Sequence, residues 1–305
     1  MVAAVFDVTI LGVNSAVPVH GRHPSCHIVR YDSNLLMIDC GEGSQSQLSR
    51  YKIKRSKIST VLISHLHGDH VYGLPGFLTT SSLQGRTTPL TIHGPAGISE
   101  LVETMTRLSG AQISYPLEVI EYDATATNTI EVDARLTVTT VPLQHRIPTM
   151  GYVIAESKPE INIDSAAIAK YELTVPEIKL VKAGQDLVRS ELHVPNAELT
   201  IPQNGPRSYA YVSDTLYDSE LAASLQGVTT LYHETTYLDD LQAIAAERYH
   251  STLSQAVSMA QVIGARQLIT GHYSSRYRDI SVFLTEGRKL WSGVELGEEG
   301  RTYSI

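Results

Sequence analysis

Three imidazoles and one carboxylate fall within six residues in His65-Leu66-His67-Gly68-Asp69-His70. Imidazole nitrogens and carboxylate oxygens suit Zn²⁺ without any thiolate. The spacing suggests two ions. His65 and His67, two apart on an extended segment, can turn toward one. Gly68 permits a sharp reversal, after which Asp69 and His70 can face a second. The competing reading is a polar surface loop that happens to hold histidines. Against it stands the position of the run, directly after Ser59 to Ser64, a short β-branched apolar stretch that reads as a buried strand.

The same pattern of a strand followed by a potential ligand recurs further along. Leu136 to Val141 leads through Pro142 to His145, Ser208 to Ser213 ends in Asp214, and Gln267 to Thr270 ends in Gly271-His272. Strand ends along one edge of a sheet sandwich converge in space, so His65, His67, Asp69, His70, His145, Asp214 and His272 form one candidate ligand set. Asp214 can bridge, having two oxygens. Two metals roughly 3.5–4 Å apart activate a water for in-line attack on phosphorus. Asp69 can ligate and also orient or deprotonate that water. His250 can protonate the leaving oxygen, and Glu234 can hold its imidazole in the required tautomer. His93 and His233 read as supports of the fold.

Positioning these residues requires alternating strands and helices. Val5 to Leu11 opens a strand, residues 12–23 form a loop, and Cys26 to Tyr31 pairs with Leu35 to Asp39. Asp39 either caps the helix expected from Ser44 to Arg50 or bonds a ligand imidazole, and the two roles are compatible. Arg50 to Lys57 holds five cations in eight residues. It is a solvated loop or, through Lys52, Lys54 and Arg55, a phosphate-steering patch. Val71 to Gly76 reads as a loop and Phe77 to Leu83 as a helix. Gly94 to Gly97 is expected to open a helix running to Leu108, with Pro95 in its first turn. Further strands cover Pro116 to Tyr122, Thr129 to Val132, Met150 to Ala155 and Thr229 to His233. From about 156 to 206 the pattern loosens, with short helical signal over Ser165 to Tyr171 and prolines at 159, 176, 195, 202 and 206. This reads as an arm inserted in one domain spanning 1–305. Helices follow over Asp239 to Arg248, Leu253 to Ile263 and Ile280 to Leu290, the second announced by a capping box at Thr252 and Gln255. A Gly-rich tail closes the chain, and the recurrence of strand-then-ligand suggests two similar halves facing each other.

Composition limits the function. The hydrophobic share of 42% excludes a disordered chain, and a net charge of −8, from 24 basic and 32 acidic residues, argues against a globally basic nucleic-acid binder but not against a local basic patch. Cys26 and Cys40 are the only cysteines, which fits a reducing compartment. Met1 to Asp7 lacks the features of a signal peptide, and no apolar run approaches a membrane span of about 18 residues. The expected location is the cytoplasm, with no membrane partner.

The motif from Ser64 to Gly76, with His145, Asp214 and His272, resembles the metallo-β-lactamase superfamily. His233-Glu234-Thr235-Thr236 and His250-Ser251-Thr252 narrow the resemblance to its ribonuclease Z family, the endonucleases that remove the 3′ trailer from precursor tRNA. The resemblance implies an α/β fold of the αββα sandwich type, a protruding arm inserted in the second half that binds tRNA, and a homodimer. It implies two Zn²⁺ per subunit, with Mn²⁺ or Fe²⁺ as alternatives. His65, His67, His145 and Asp214 would hold one ion; Asp69, His70, Asp214 and His272 would hold the other, with Asp69 as proton acceptor. The family's Pro-x-Lys-x-Arg-Asn loop, associated with reading the tRNA acceptor end, stands here as Pro18-Val19-His20-Gly21-Arg22-His23, so Arg22 is retained while Lys and Asn are replaced. In the arm, Pro176, Lys179, Lys182 and Gly184 are what remains of a basic Gly-Pro-rich segment. Arg22, Lys179 and Lys182 thus join Lys52, Lys54 and Arg55 as candidate RNA contacts. Two rivals remain: the same metal site acting on small phosphodiesters or on lactones or thioesters, and a non-enzymatic RNA-binding module with a structural metal.

Overall fold

Alternation of side chains along the strands decides the architecture. Leu36 and Ile38 enter one apolar cluster while Met37 between them enters another, and Ile28 and Val29 divide in the same way. A sheet whose two faces are both apolar must be covered on both sides. The computed structural model describes residues 4–157, 161–201 and 205–305. Residues 1–3, Pro159 and Pro202, all part of the sequence expectations, lie outside them.

The first half comprises β1 (Phe6–Gly12), β2 (Cys26–Tyr31), β3 (Asn34–Ile38), α1 (Ser44–Arg50), β4 (Ile58–Leu62), α2 (Gly68–Val71), α3 (Leu74–Leu83), β5 (Leu90–Pro95), α4 (Ile98–Ser109) and β6 (Leu117–Tyr122). Then come β7 (Thr129–Asp133), β8 (Leu136–Leu143) and β9 (Thr149–Glu156). The stretch up to residue 207 carries α5 (Ser165–Lys170), α6 (Val175–Lys182), the hairpin β10 (Leu187–Arg189) and β11 (Leu192–Val194), and α7 (Asn196–Leu199). The remainder is β12 (Ser208–Val212), α8 (Leu221–Leu225), β13 (Thr230–Glu234), α9 (Gln242–Glu247), α10 (Leu253–Val262), β14 (Gln267–Gly271), α11 (Ser281–Leu290), β15 (Val294–Leu296) and β16 (Thr302–Ser304).

Two seven-stranded sheets result, in the orders β16-β1-β2-β3-β4-β5-β6 and β15-β14-β13-β12-β9-β8-β7. Val8, Ile10, Leu36 and Leu62 of the first meet Val138, Tyr152, Tyr209 and Leu231 of the second in one buried cluster. The outer face of the first sheet packs through Met37, Val61 and Ile92 on Leu48, Phe77 and Val102 of α1, α3 and α4. In each sheet one end is a run of parallel strands (β3-β4-β5-β6 and β12-β13-β14-β15), so the C-terminal ends within each run lie along one edge. Among the described residues no helix is long and apolar enough to cross a membrane.

Several local expectations are corrected. The stretch 71–76 is not a loop: α2 covers Gly68–Val71, and α3 begins at Leu74 with Pro75 in its first turn. Gly73 between them lets the chain touch the end of β3. Its amide donates to the Cys40 carbonyl at 2.8 Å, and a Cβ there would sit 2.2 Å from the Gly41 oxygen. Pro95 belongs to β5, and α4 starts only at Ile98, after Gly97 in the left-handed region at φ 98°. Asp239 to Arg248 is a 3₁₀ turn followed by the short α9. The Gly-rich tail contains β15 and β16, the latter pairing with β1. Strands this short lack enough alternation to register as strands by pattern.

Glu156–Arg207 clusters as a compact unit apart from Ala4–Ala155 with Ser208–Ile305. It has more order than its loose sequence pattern suggests. Leu173, Val181, Leu187, Val194 and Leu199 form a small core of its own. A capping box of Thr174 and Glu177 starts α6, which carries Lys179 and Lys182.

The capping box at Thr252 and Gln255 is present at the start of α10, two residues beyond His250. Thr252→Ala should cost about 1 kcal/mol, read as a lowered urea midpoint. An unchanged midpoint would show that the cap contributes nothing.

Candidate metal centre

The loop after β4 and the helix α2 bring His65, His67, Asp69 and His70 to the edge where β8, β12 and β14 end. His145, Asp214 and His272 follow those strands by two, two and one residues. All seven candidate ligands meet. One oxygen of Asp214 lies 3.7 Å from Nε2 of both His65 and His145. Its other oxygen lies 3.4 Å from Nε2 of His70 and 3.1 Å from Nε2 of His272. Nδ1 of His67 is 3.1 Å from Nε2 of His65 and 3.2 Å from Nε2 of His145. Asp69 Oδ2 is 3.5 Å from Nε2 of both His70 and His272.

The outer nitrogens settle which atoms face inward. Nδ1 of His145 lies 3.0 Å from the Tyr249 carbonyl and must donate to it. Nδ1 of His70 lies 2.7 Å from the Asp39 carboxylate. Ser64 Oγ donates to Asp39 and so accepts from Nδ1 of His65, at 2.9 and 3.0 Å. Thr236 Oγ1 donates to Glu234 and so accepts from Nδ1 of His272, at 2.6 and 3.0 Å. With the outer nitrogens as donors, the inner nitrogens are the ones left to face one another, an arrangement that a cation between their lone pairs stabilises. Ligands 2.0–2.1 Å from a tetrahedral ion stand about 3.3 Å apart, close to the separations of 3.1–3.7 Å found here. The donor set fits a divalent metal.

Electrostatics agree. Burial lowers the pKa of His65, His67 and His145 and leaves them neutral, with lone pairs free. His70 differs: burial disfavours its charge, but Asp214, Asp69 and Asp39 outweigh burial and raise its pKa well above the ordinary value, so its Nε2 proton must leave before that nitrogen can ligate a metal. Asp214 resists the upward push of burial because His272, His70 and His65 surround it, and it stays well below the usual carboxylate range.

Asp39 takes the imidazole-bonding role: with φ 56° it accepts from His70, from Ser64 N at 2.7 Å and from Tyr211 Oη at 2.7 Å. It does not cap α1, which starts after Gly43 without a side-chain cap. Glu234 is buried and accepts from Nδ1 of His250 at 2.9 Å, from the Ser251 amide at 2.9 Å and from Thr236. Burial opposes charge on His250, yet Glu234 prevails and its pKa is pushed up to about 9. His250 lies near enough to Asp214 and His272 to share an ion, with its Nδ1 held by Glu234. His233 is buried and bonds the Glu234 carbonyl through Nδ1, and His93 meets the Tyr122 hydroxyl; among the described residues neither joins a group able to hold an ion.

The cluster opens into a cleft of about 1020 Å³. Of the candidate RNA contacts, Arg22, Lys52, Lys54 and Arg55 do not line it. Arg22 is spent on neighbouring loops, Arg55 donates to Gln84 at 2.7 Å, and Lys52 and Lys54 line a separate depression with Lys57 and Arg30. The cleft is lined instead by Arg146, Arg248 and Arg276, exposed cations without a hydrogen-bonding or ion-pair partner for the guanidinium among the described residues. Sequence reasoning missed all three. Their only signal was proximity in sequence to His145, His250 and His272.

Comparison with known proteins places the chain. A ribonuclease Z of Bacteroides fragilis is 40% identical over 301 residues, 98% of this chain and 99% of that one. One from Parabacteroides distasonis is 39% identical over the same shares. The crystal structure of human tRNase Z, short form, superposes with a TM-score of 0.71 at 25% identity, covering 98% of this chain and 99% of that one. The metallo-β-lactamase fold protein YhfI of Bacillus subtilis shares the fold, with a TM-score of 0.70 at 16% identity and coverage of 98% and 99%. Residues 6–153 also match the family model described as Anti-Pycsar protein Apyc1. A chain that aligns end to end with these relatives and folds as they do is one of them: it belongs to the ribonuclease Z family, endoribonucleases built on the metallo-β-lactamase fold.

Proposed function

We propose that this endoribonuclease removes the 3′ trailer from precursor tRNA, using two zinc ions held by His65, His67, His145 and Asp214 on one side and by Asp69, His70, His272 and Asp214 on the other. The observation that carries the reading is the division of the Asp214 oxygens between two groups of imidazole lone pairs. When bound, such a pair of ions supplies an activated water and neutralises charge that develops on the phosphoryl oxygens. Asp69 accepts the proton of the attacking water. His250, held by Glu234, gives its proton to the departing 3′ oxygen, so the tRNA keeps a 3′-hydroxyl and the trailer leaves with a 5′-phosphate. Arg146, Arg248 and Arg276 hold backbone phosphates along the cleft. Lys179 and Lys182 supply the contacts of the 156–207 unit. The family resemblance supports a cytoplasmic homodimer.

The rival substrate classes, small phosphodiesters or lactones and thioesters, need the same hydroxide. Three guanidiniums along an open cleft, unpaired among the described residues, favour a polyanion over either.

Asp69→Ala should lower cleavage of precursor tRNA by about 10³-fold while leaving RNA affinity near that of the wild type. Full activity in that variant, measured on end-labelled substrate, would remove Asp69 from the mechanism. Arg146→Ala and Arg248→Ala should each weaken tRNA binding and reduce the slope of log affinity against log salt by about 1; unchanged slopes would place the phosphates elsewhere. The rate should fall as pH rises through the pKa of His250, because the deprotonated ring cannot donate. Glu234→Gln removes the group that raises this pKa, so the alkaline limb should move to lower pH. A limb that stays in place would exclude His250 as the acid.

A further inference from the structure

Arg22 is retained from the family's acceptor-end loop, yet its guanidinium faces protein. Nε donates to Asn14 Oδ1 at 2.7 Å, Nη1 to the Arg278 carbonyl at 3.0 Å and Nη2 to the Tyr277 carbonyl at 2.6 Å. Asn14 is fully buried, and its amide group donates in turn to the carbonyls of Val17 and Val19 at 3.2 and 3.1 Å. Within that turn Ala16 is held in the left-handed region at φ 58°, which a residue with a Cβ rarely adopts. The constraint aims the Ala16 amide at Asp69 Oδ2, 2.7 Å away. The same oxygen is the one 3.5 Å from Nε2 of His70 and of His272.

The other loop that Arg22 grips, 273–278, begins directly after His272, itself at φ 57°. It is tied back to the first loop by the Ser15 amide on the Tyr273 carbonyl at 3.1 Å and the Tyr273 amide on the Val13 carbonyl at 2.8 Å. His20, where the family has Lys, contacts the Ser275 carbonyl through Nε2 at 2.9 Å. Ser15, Ala16, Val17 and Pro18 line the cleft, but Arg22 stands behind them.

We infer that Arg22 is a positioning residue for the Asp69, His70 and His272 half of the metal centre, and not a contact to RNA phosphate. With Nε and both Nη nitrogens each donating to a protein acceptor, the guanidinium is anchored in the protein and at most two of its five N–H donors remain. Without it, Asn14 loses the donor that fixes its amide and the 14–19 turn loses its brace. Ala16 then relaxes from the strained region, and Asp69 Oδ2 loses the amide that orients it. His65, His67 and His145 touch none of these groups, so the effect falls on one half-site.

The inference rests on the two-ion reading, and the test separates the two. Zinc bound per chain is measured by equilibrium dialysis across free zinc concentrations for wild type, Arg22→Ala and Arg22→Lys. Affinity for mature tRNA is measured across salt for the same proteins, with Arg146→Ala for comparison. Lysine keeps the cation but cannot span three acceptors, so both Arg22 variants should retain one ion at wild-type affinity and bind the other at least tenfold more weakly. Their salt slopes should match the wild type, while that of Arg146→Ala falls by about 1. Should Arg22→Ala not fold, Arg22→Lys decides by the same readouts. Unchanged affinity for both ions, equal weakening of both, or a salt slope lowered in Arg22→Ala and restored by lysine would overturn the inference alone. A wild-type chain that holds fewer than two ions would overturn the two-ion reading and the inference with it.

Discussion

A buried carboxylate with an imidazole pair at each oxygen is the constraint around which this molecule is built. Asp214 is 3% exposed and has His65 and His145 at one oxygen and His70 and His272 at the other. A desolvated anion is costly to bury. It becomes favourable when cations occupy the two sides, and the protein must hold the groups in place before any arrive. Opposing seven-stranded sheets do this. Each has a run of parallel strands, and loops leaving β4, β8, β12 and β14 meet at one point.

Rigidity comes from a ring of hydrogen bonds outside the inward-facing atoms. Asp39 sets His70, Ser64 links Asp39 to His65, Thr236 links Glu234 to His272, and the Tyr249 carbonyl sets His145. Asp39 and His272 both sit at positive φ, at 56° and 57°. Glu234 serves two ends at once: it anchors the Thr236 that orients His272 and it holds the proton on His250. Proposed metal binding and proposed acid catalysis are thus joined through a single carboxylate.

The sequence made the site more legible than its surroundings. His65 to His70 after an apolar strand is a dense local signal, and His145, Asp214 and His272 share its grammar of strand end followed by ligand. Both the alternation in β2 and β3 and the capping box at Thr252 were readable for the same reason: they are local. What escaped depended on contacts distant in sequence. Gly94 and Pro95 look like a helix start, but pairing with β6 keeps them in a strand. Arg22 looks like a free cation until the 277–278 carbonyls are seen beside it. Arg146, Arg248 and Arg276 look like scattered surface charges until the fold lines one cleft with them. The cationic run at 50–57 drew attention by density alone, and density does not say where a patch faces.

The central claim, two ions joined by Asp214, is tested most directly by anomalous diffraction at the zinc edge from crystals of the zinc-loaded protein. The account predicts two peaks about 3.5–4 Å apart, one beside His65, His67 and His145 and the other beside Asp69, His70 and His272, with Asp214 reaching both. A single peak, or peaks away from these side chains, would contradict it.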